Sequence, residues 1–252
     1  MRRMFCWFCP QLSAERLQTC TAPTVRRAGE SPNPAPLGKI EMTTIALFGS
    51  TGRIGQRILR EALARGHKVT AIVRDATRAS GGTPNLEFKP GDILKPESVV
   101  AATNGHDVLV SAYGPRAGDA KQIVTAAKSL VEAAGSMQPM RLIVVGGAGS
   151  LEVAPGVQLV DTPDFPTASK ASALAHRDAF EVYWKTGLDW TFVSPAAIVE
   201  PGARTGHYRI GTNQLVVDHE GKSRISIEDF AVAILDEIEQ PRFRCKRFTV
   251  GY

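Results

Sequence analysis

Residues 46–59 read ALFGSTGRIGQRIL, and this stretch decides the fold. An apolar run over 44–48 stops at three glycines spaced three residues apart, Gly49, Gly52 and Gly55, and a helical apolar pattern follows at once. In such a turn the first glycine permits the tight bend, the second lets a pyrophosphate approach the backbone, and the third lets the helix pack closely on the strand. The pattern therefore predicts a strand, a phosphate-binding turn and a helix whose N-terminus attracts anions.

Short apolar runs alternate with longer amphipathic ones from Met42 to the end of the chain. The predicted strands are 45–48, 68–74, 86–89, 108–111, 141–145, 190–193 and 248–250. The predicted helices are 54–64, 96–103, 120–134, 168–186 and 227–239. This alternation indicates right-handed crossovers and a parallel sheet with helices on both faces. We expect an α/β fold, a Rossmann-type doubly wound parallel sheet, in a single domain over 42–252 with a small C-terminal lid segment.

Residues 1–41 differ in composition from the rest of the chain. They include five prolines, six basic and three acidic residues, and they lack sustained periodicity. Three interpretations stay open: a disordered tail, a transit peptide, or residues upstream of a true start at Met42. Cys6 and Cys9 form a C-x-x-C pair, but no second ligand pair accompanies them, so the pattern does not favour a metal or redox site.

Charge and cysteine content narrow the class of protein further. The formal net charge is +5, and more than half of it lies in residues 1–41, so the folded part is not expected to bind nucleic acid. No apolar run approaches the roughly 20 residues of a membrane span. Cys245 is the one cysteine after residue 41, which predicts a reducing, cytoplasmic location. We expect a small-molecule partner, no metal, no membrane and no nucleic acid; the oligomeric state stays open.

The end of the second predicted strand bears on the choice of dinucleotide. An acidic residue at this point accepts hydrogen bonds from the ribose 2′-OH of NAD, whereas an arginine accommodates the 2′-phosphate of NADP. Arg74 stands at the strand tip, and Asp75 is one residue further on. Arg53, inside the glycine-rich turn, adds a second cation. The sequence therefore predicts that NADP(H) is preferred over NAD(H).

Several further stretches carry a family resemblance. They are GSTGRIG at 49–55, VR at 73–74, GDI at 91–93, SAYG at 111–114, LDWTFVSPA at 188–196, GARTGHYR at 202–209, ISIEDFA at 225–231 and RFTVGY at 247–252. With these, the chain resembles the atypical short-chain dehydrogenase/reductases of the NmrA-like, NAD(P)H-binding type. Within that type it is similar to a group of proposed NADH-flavin reductases, which is related to biliverdin reductase B, also known as NADPH flavin reductase. The resemblance covers 42–252.

The resemblance implies roles for residues at the strand ends. It places Asp92 and Ile93 by the adenine, and Pro195 and Ala196 around the nicotinamide. The complete set of expected cofactor contacts is Gly49, Ser50, Thr51, Gly52, Arg53, Ile54, Gly55, Arg74, Asp92, Ile93, Ser111, Ala112, Gly114, Pro195 and Ala196. The glycine-rich connection 201–211 is either a lid over the acceptor or a surface loop. As a lid, it would bring Arg204 and Tyr208 to the acceptor beside Tyr113.

The chain lacks the acid that many short-chain dehydrogenases use. Their Tyr-x-x-x-Lys motif supplies a tyrosine that protonates the forming alkoxide, but Pro166 stands four residues before Lys170. The place of the usual upstream serine falls in the stretch GGAGS at 146–150, which is mostly glycine and ends at Ser150. Lys170 and Ser150 are thus the only catalytic candidates, and neither is certain. Reduction of a carbonyl by the usual mechanism is not favoured.

A flavin acceptor avoids this difficulty. It takes hydride at N5 and spreads the negative charge over its rings, so positioning on the nicotinamide is enough. We expect the glycines at 146–149 to leave room for such a flat acceptor. The predicted function is an NAD(P)H-dependent reductase of free flavin or a similar planar acceptor, with flavin as substrate rather than as a tightly bound group. The alternative is a non-catalytic protein that senses NADP(H).

Overall fold

The computed structural model describes residues 41–75, 83–115, 119–138 and 140–252, so the predicted extension lies outside it apart from Glu41. The strands of the described part are β1 (Thr44–Phe48), β2 (Lys68–Val73), β3 (Leu86–Pro90), β4 (Val108–Ser111), β5 (Arg141–Val145), β6 (Glu152–Ala154), β7 (Val157–Gln158), β8 (Trp190–Ser194), β9 (Ile198–Glu200), β10 (Arg209–Gly211), β11 (Arg224–Ser226) and β12 (Lys246–Gly251). The helices are α1 (Arg53–Ala64), α2 (Pro96–Thr103), α3 (Lys121–Ser136), α4 (Thr167–Trp184) and α5 (Ile227–Glu239).

Eight strands form one sheet in the order β10-β12-β8-β5-β4-β1-β2-β3. Every neighbouring pair is parallel except β10 with β12, which is antiparallel. β9 pairs with β11, and β6 with β7, in two-stranded ribbons outside this sheet. The predicted Rossmann-type, doubly wound α/β fold is confirmed, with one antiparallel edge strand that the sequence pattern did not indicate.

Helices cover both faces of the sheet, which explains why its central strands are almost wholly apolar. In β4, Val108 and Val110 join the core formed with α1 and α5, whereas Leu109 joins the core formed with α2, α3 and α4. Alternate residues of one strand therefore enter two different cores. Both cores exclude water, and the sheet between them is a rigid support for the loops at its ends.

The predicted boundaries of the main elements lie within two residues of the observed ones, and those of α2, β4, β5 and α5 coincide. Ser226 is the N-cap of α5, and its Oγ accepts a hydrogen bond from the Asp229 N–H at 3.0 Å. The five strands that were not predicted, β6, β7, β9, β10 and β11, span two or three residues each. Such short strands have no readable period.

The strand order places the candidate site. The chain leaves β1 toward β2 on one side, and β4 lies on the other side of β1, so the topological switch point falls between β1 and β4. Ligands of open α/β sheets bind at the carboxyl ends of the strands at such a point. The loops that follow β1, β2, β3, β4 and β8 all emerge at this edge. Among the described residues, no helix is both long and apolar enough to cross a membrane.

Candidate dinucleotide site

The glycine-rich turn after β1 is held by two very close backbone approaches. Gly49 has a φ of +79°, and a Cβ at this residue would lie 2.3 Å from the carbonyl oxygen of Ala112. A Cβ on Gly55 would lie 2.0 Å from the carbonyl oxygen of Gly49. Real Cβ contacts are never this short, so only glycine fits at either position. The first and third glycines therefore bring β1, α1 and the end of β4 together.

Gly52 has different surroundings. A Cβ there would meet nothing closer than the carbonyl oxygen of Gly49 at 3.2 Å, and the residue is exposed. The protein itself leaves this side of the turn open, which is what the approach of a pyrophosphate requires.

The start of α1 adds donors beside Gly52. Gly52 is the N-cap of α1, and no side chain caps the helix there. Ser50 Oγ is buried and has no hydrogen-bond partner within the described residues. An uncapped helix start with free N–H groups and an unpaired hydroxyl next to it is suited to hold phosphate oxygens.

Arg74, Asp92 and Tyr113 follow the ends of β2, β3 and β4, at the carboxyl edge of the sheet. Burial is the main reason why the pKa of the Tyr113 phenol is raised. The positive charge of Arg74 lowers this pKa, and the negative charge of Asp92 raises it. Asp92 Oδ1 accepts a hydrogen bond from the Leu94 N–H at 3.0 Å, and this bond orients the carboxylate within the loop after β3. Arg74 is exposed at the tip of β2, as predicted. The side chain of Ile93 is buried in the core, so only its backbone is available at the carboxyl edge of the sheet.

The predicted nicotinamide end lies where β4 and β8 finish. Pro195 and Ala196 are buried directly after β8, and Ser111 is buried at the end of β4. Tyr113 is half-buried, and its hydroxyl donates to Gln122 Oε1 of α3 at 2.6 Å. The structure thus brings the predicted residues of this end to one edge of the sheet, on the side of β1 away from Arg74.

The glycines at 146–149 do not form an open floor, so that expectation is wrong. A Cβ on Gly146 would lie 2.0 Å from the Phe192 ring, and one on Gly149 would lie 2.7 Å from Ala173 Cβ. A Cβ on Gly147 would lie 3.1 Å from His176. The space that these glycines leave is filled by β8 and α4. Their role is to allow α4 to pack closely on the end of β5.

The two catalytic candidates are placed differently from each other. Lys170 is exposed in the first turn of α4, and Pro166 is the N-cap of that helix. Ser150 is buried, and its hydroxyl accepts a hydrogen bond from Arg247 Nη1 at 2.8 Å. Arg247 also donates to Asn213 Oδ1 and lies over the Phe180 ring. Ser150 is therefore engaged in holding β12 against the loop after β5.

Segment 201–211 lies along α1 and α5. Arg204 donates to both carboxylate oxygens of Glu61, at 2.8 and 2.7 Å. This hydrogen bonding is the main reason why the pKa of Glu61 is lowered. The hydroxyl of Tyr208 donates to Asp236 of α5, and burial, followed by this contact, raises the pKa of Tyr208. As acceptor-binding residues, Arg204 and Tyr208 would first have to leave these partners.

Asp229 fixes the same segment to the start of α5. Its Oδ1 accepts hydrogen bonds from the N–H groups of Thr205 and Gly206, each at 2.8 Å. Its Oδ2 accepts from Thr205 Oγ1 at 2.6 Å and from the Tyr252 hydroxyl at 2.7 Å. Burial raises the pKa of Asp229, but these hydrogen bonds outweigh burial and the net pKa is lowered.

Sequence reasoning also missed His176 on α4. The imidazole lies against Gly147 at the carboxyl end of β5, beside a cavity of ≈ 10 Å³ that Ser111 and Tyr113 also line. Its only sequence signal was a histidine six residues after Lys170, and nothing in that spacing marks a site. The packing of α4 on β5 decides its position.

A doubly wound sheet with this turn at its switch point defines a Rossmann-fold protein that binds dinucleotides. The chain matches the NAD(P)H-binding family over residues 49–238 and belongs to that family.

Individual relatives match most of the described part. The uncharacterized protein YwnB of Bacillus subtilis strain 168 is 38% identical over 210 residues, which cover 82% of this chain and 97% of YwnB. A solved structure from Burkholderia pseudomallei, provisionally described as an exported protein, is 51% identical with a TM-score of 0.77, and the match covers 84% of this chain and 100% of that one. The cytoplasmic location of the present chain stays a prediction.

The name of a third similar protein refers to a specific reaction. It comes from Streptococcus pneumoniae TIGR4 and is provisionally named an NADH-flavin reductase. The identity is 31% and the TM-score 0.75, and the match covers 83% of this chain and 99% of that one. The predicted resemblance to NAD(P)H-binding proteins and to the group of proposed NADH-flavin reductases is thereby confirmed.

Proposed function

We propose that this protein is an NAD(P)H-dependent reductase that passes hydride directly to a free flavin or a similar planar, conjugated acceptor. The observation that carries the proposal is the composition of the carboxyl edge. An open phosphate site at Gly52 and the uncapped start of α1 stand beside a nicotinamide end that has no Tyr-x-x-x-Lys acid. The provisional name of the similar S. pneumoniae protein supports the same acceptor class.

The residues present fit a dinucleotide and have separable tasks. The N–H groups at the start of α1 and Ser50 Oγ hold the pyrophosphate, Arg74 meets a 2′-phosphate, and Pro195 and Ala196 position the nicotinamide. NAD(P)H, when bound, supplies two electrons and one proton as hydride. Ser111, Pro195 and Ala196 are buried at the ends of β4 and β8, and holding the acceptor beside them supplies the rate by positioning.

The first test is turnover. Steady-state NADPH oxidation should proceed with FMN, FAD or riboflavin and should be much slower with simple ketones and aldehydes, because no positioned acid protonates an alkoxide.

Lys170→Ala should lower FMN turnover by less than the ~10²–10⁴ expected for the loss of a general acid or base. Its exposed side chain makes this variant safe for folding. A thousandfold loss in Lys170→Ala with intact NADPH affinity would instead favour acid chemistry and a carbonyl acceptor.

The second test is cofactor preference. Arg74→Ala should weaken NADPH binding by roughly ten- to a hundredfold, since a charge-assisted hydrogen bond contributes about 1.5–3 kcal/mol. NADH affinity should barely change, because NADH has no 2′-phosphate. Dissociation constants from nucleotide fluorescence measure both. Arg60→Ala, at an exposed position on α1, is the matched control and should leave both affinities unaltered. Equal losses for NADPH and NADH in Arg74→Ala would contradict the preference.

The missing acid also favours a second candidate, a non-catalytic NADP(H) sensor. The two functions differ in one measurable respect. A sensor binds NADPH with the Arg74 dependence described above but oxidises none of it with flavins, quinones or biliverdin. Sustained NADPH oxidation with any one of these acceptors would identify the protein as a reductase rather than a sensor.

A further inference from the structure

One face of α4 meets the carboxyl end of β5. Ala173 lies against Gly149, and His176, three residues later on the same helix face, lies against Gly147. The Cβ and ring carbons of His176 come within 3.1–3.2 Å of where a Cβ of Gly147 would be. The imidazole is thus placed at the reacting edge of the sheet by helix packing rather than by a flexible loop.

The surroundings of His176 are mostly apolar. Ile123 and Leu130 of α3, Val144 of β5 and Phe192 of β8 line the cavity beside it. The titratable groups on that cavity are the phenols of Tyr113 and Tyr183, both with pKa values raised by burial. Burial lowers the pKa of His176 to about 4, so the ring is neutral near pH 7. Its ring nitrogens have no hydrogen-bond partner in the described part of the chain, although the residue is partly exposed.

We propose that His176 is the hydrogen-bond donor of the acceptor site, and that its neutral imidazole donates to a carbonyl oxygen of a planar, conjugated acceptor. This inference rests on the proposed reductase function. Gly147 lies against the imidazole, and Ser111 and Tyr113, at the end of β4, line the same small cavity as His176. The acceptor class is therefore a conjugated carbonyl compound such as a flavin or a quinone.

The proposed role needs no proton transfer from the protein. Hydride brings two electrons and one proton to the acceptor, whose carbonyl oxygen then carries part of the resulting negative charge. A fixed N–H donor aimed at that oxygen stabilises the charge as it develops. Because the ring is neutral, it keeps its proton, and the second proton of the reduced acceptor comes from water after the transfer. A neutral histidine acts as an electrophile in this manner.

Variants of His176 test the role kinetically. His176→Ala should lower kcat with FMN by about 10²–10³-fold, the usual loss for one such donor, while the KM for NADPH stays the same. His176→Gln keeps an N–H donor and should lose less. His219→Gln, at an exposed turn, is the matched histidine control. Full kcat in His176→Ala, in a preparation whose wild type is active, overturns this inference and leaves the reductase function standing. Wild-type inactivity with every acceptor overturns both.

NMR spectroscopy supplies a readout that does not depend on turnover. The ¹⁵N-labelled imidazole of His176 should report a neutral ring from pH 8 to 6. Its N–H resonance should shift when FMN is added to the protein saturated with NADP⁺. A resonance that does not move, while fluorescence quenching shows that FMN is bound, overturns the contact. A ring that titrates near the ordinary histidine pKa of about 6.5 also contradicts a neutral donor.

Discussion

Gly52→Val is expected to abolish NAD(P)H binding without unfolding the protein. The valine side chain would point into the open side of the turn, where the nearest protein atom to its Cβ is Gly49 O at 3.2 Å. We expect the pyrophosphate of the cofactor to occupy that space. We expect an affinity loss of at least about a hundredfold, or about 2.7 kcal/mol, measured by nucleotide fluorescence or calorimetry. The melting temperature should change little, because Gly52 is exposed and has φ −76°, which any residue adopts.

Gly49→Ala is the matched comparison within the same turn. Its Cβ would lie 2.3 Å from the carbonyl oxygen of Ala112, and its φ of +79° disfavours any side chain. This variant should lower the melting temperature as well as cofactor affinity. If Gly52→Val unfolds the protein as much as Gly49→Ala does, or if it binds NADPH normally, the assignment of the open side to the pyrophosphate is wrong.

Glu237→Ala is expected to destabilise the fold by about 3–5 kcal/mol, which is typical when one partner of a buried ion pair is removed. Glu237 of α5 is fully buried and accepts hydrogen bonds from the Arg141 guanidinium and from the N–H groups of Arg242 and Phe243. Arg141 at the start of β5 is also buried, and burial lowers its pKa despite the nearby carboxylate. Without Glu237 the buried cation would lose its ion-pair partner, although the charge of Asp189 would still act on it. Urea denaturation monitored by circular dichroism measures the free energy of unfolding.

A surface pair provides the control for this prediction. Glu181 and Lys185 are both exposed and 3.8 Å apart, so Glu181→Ala should cost no more than about 1 kcal/mol. The double variant Arg141→Met with Glu237→Leu should recover part of the stability, because an apolar pair needs no counter-charge, while the N–H groups of Arg242 and Phe243 lose their acceptor. A Glu237→Ala protein as stable as the wild type would mean that water reaches Arg141 in solution.

The main elements could be predicted because their signals are local. The five-residue run of β5, RLIVV, and the helical periodicity of α5 each define an element without reference to the rest of the chain, and their bounds were confirmed. The antiparallel strand β10 was not predictable in this way. Its three residues, RIG, become a strand only because β12 offers a free edge beside them.

In the candidate site, too, some residues could be recognised from the local sequence and others could not. Gly49, Gly52, Gly55 and Arg74 could be recognised because the turn chemistry and the strand tip are properties of consecutive residues. Gly146 and Gly149 resemble a glycine-rich floor in sequence, yet α4 and β8 occupy the space that they leave. The spacing of glycines reveals where a Cβ is forbidden but does not reveal which neighbour forbids it.

The sequence by itself determined the Rossmann-type fold, the glycine-rich turn after β1 and the absence of a Tyr-x-x-x-Lys acid, because each depends on spacing along the chain. The tertiary structure alone decided which polar groups are free at the reacting edge. Arg204 is paired with Glu61 and Ser150 with Arg247, whereas His176 reaches Gly147 without a polar partner in the described residues. These contacts join residues up to 143 positions apart, and hydrogen bonding and close packing act across space rather than along the sequence.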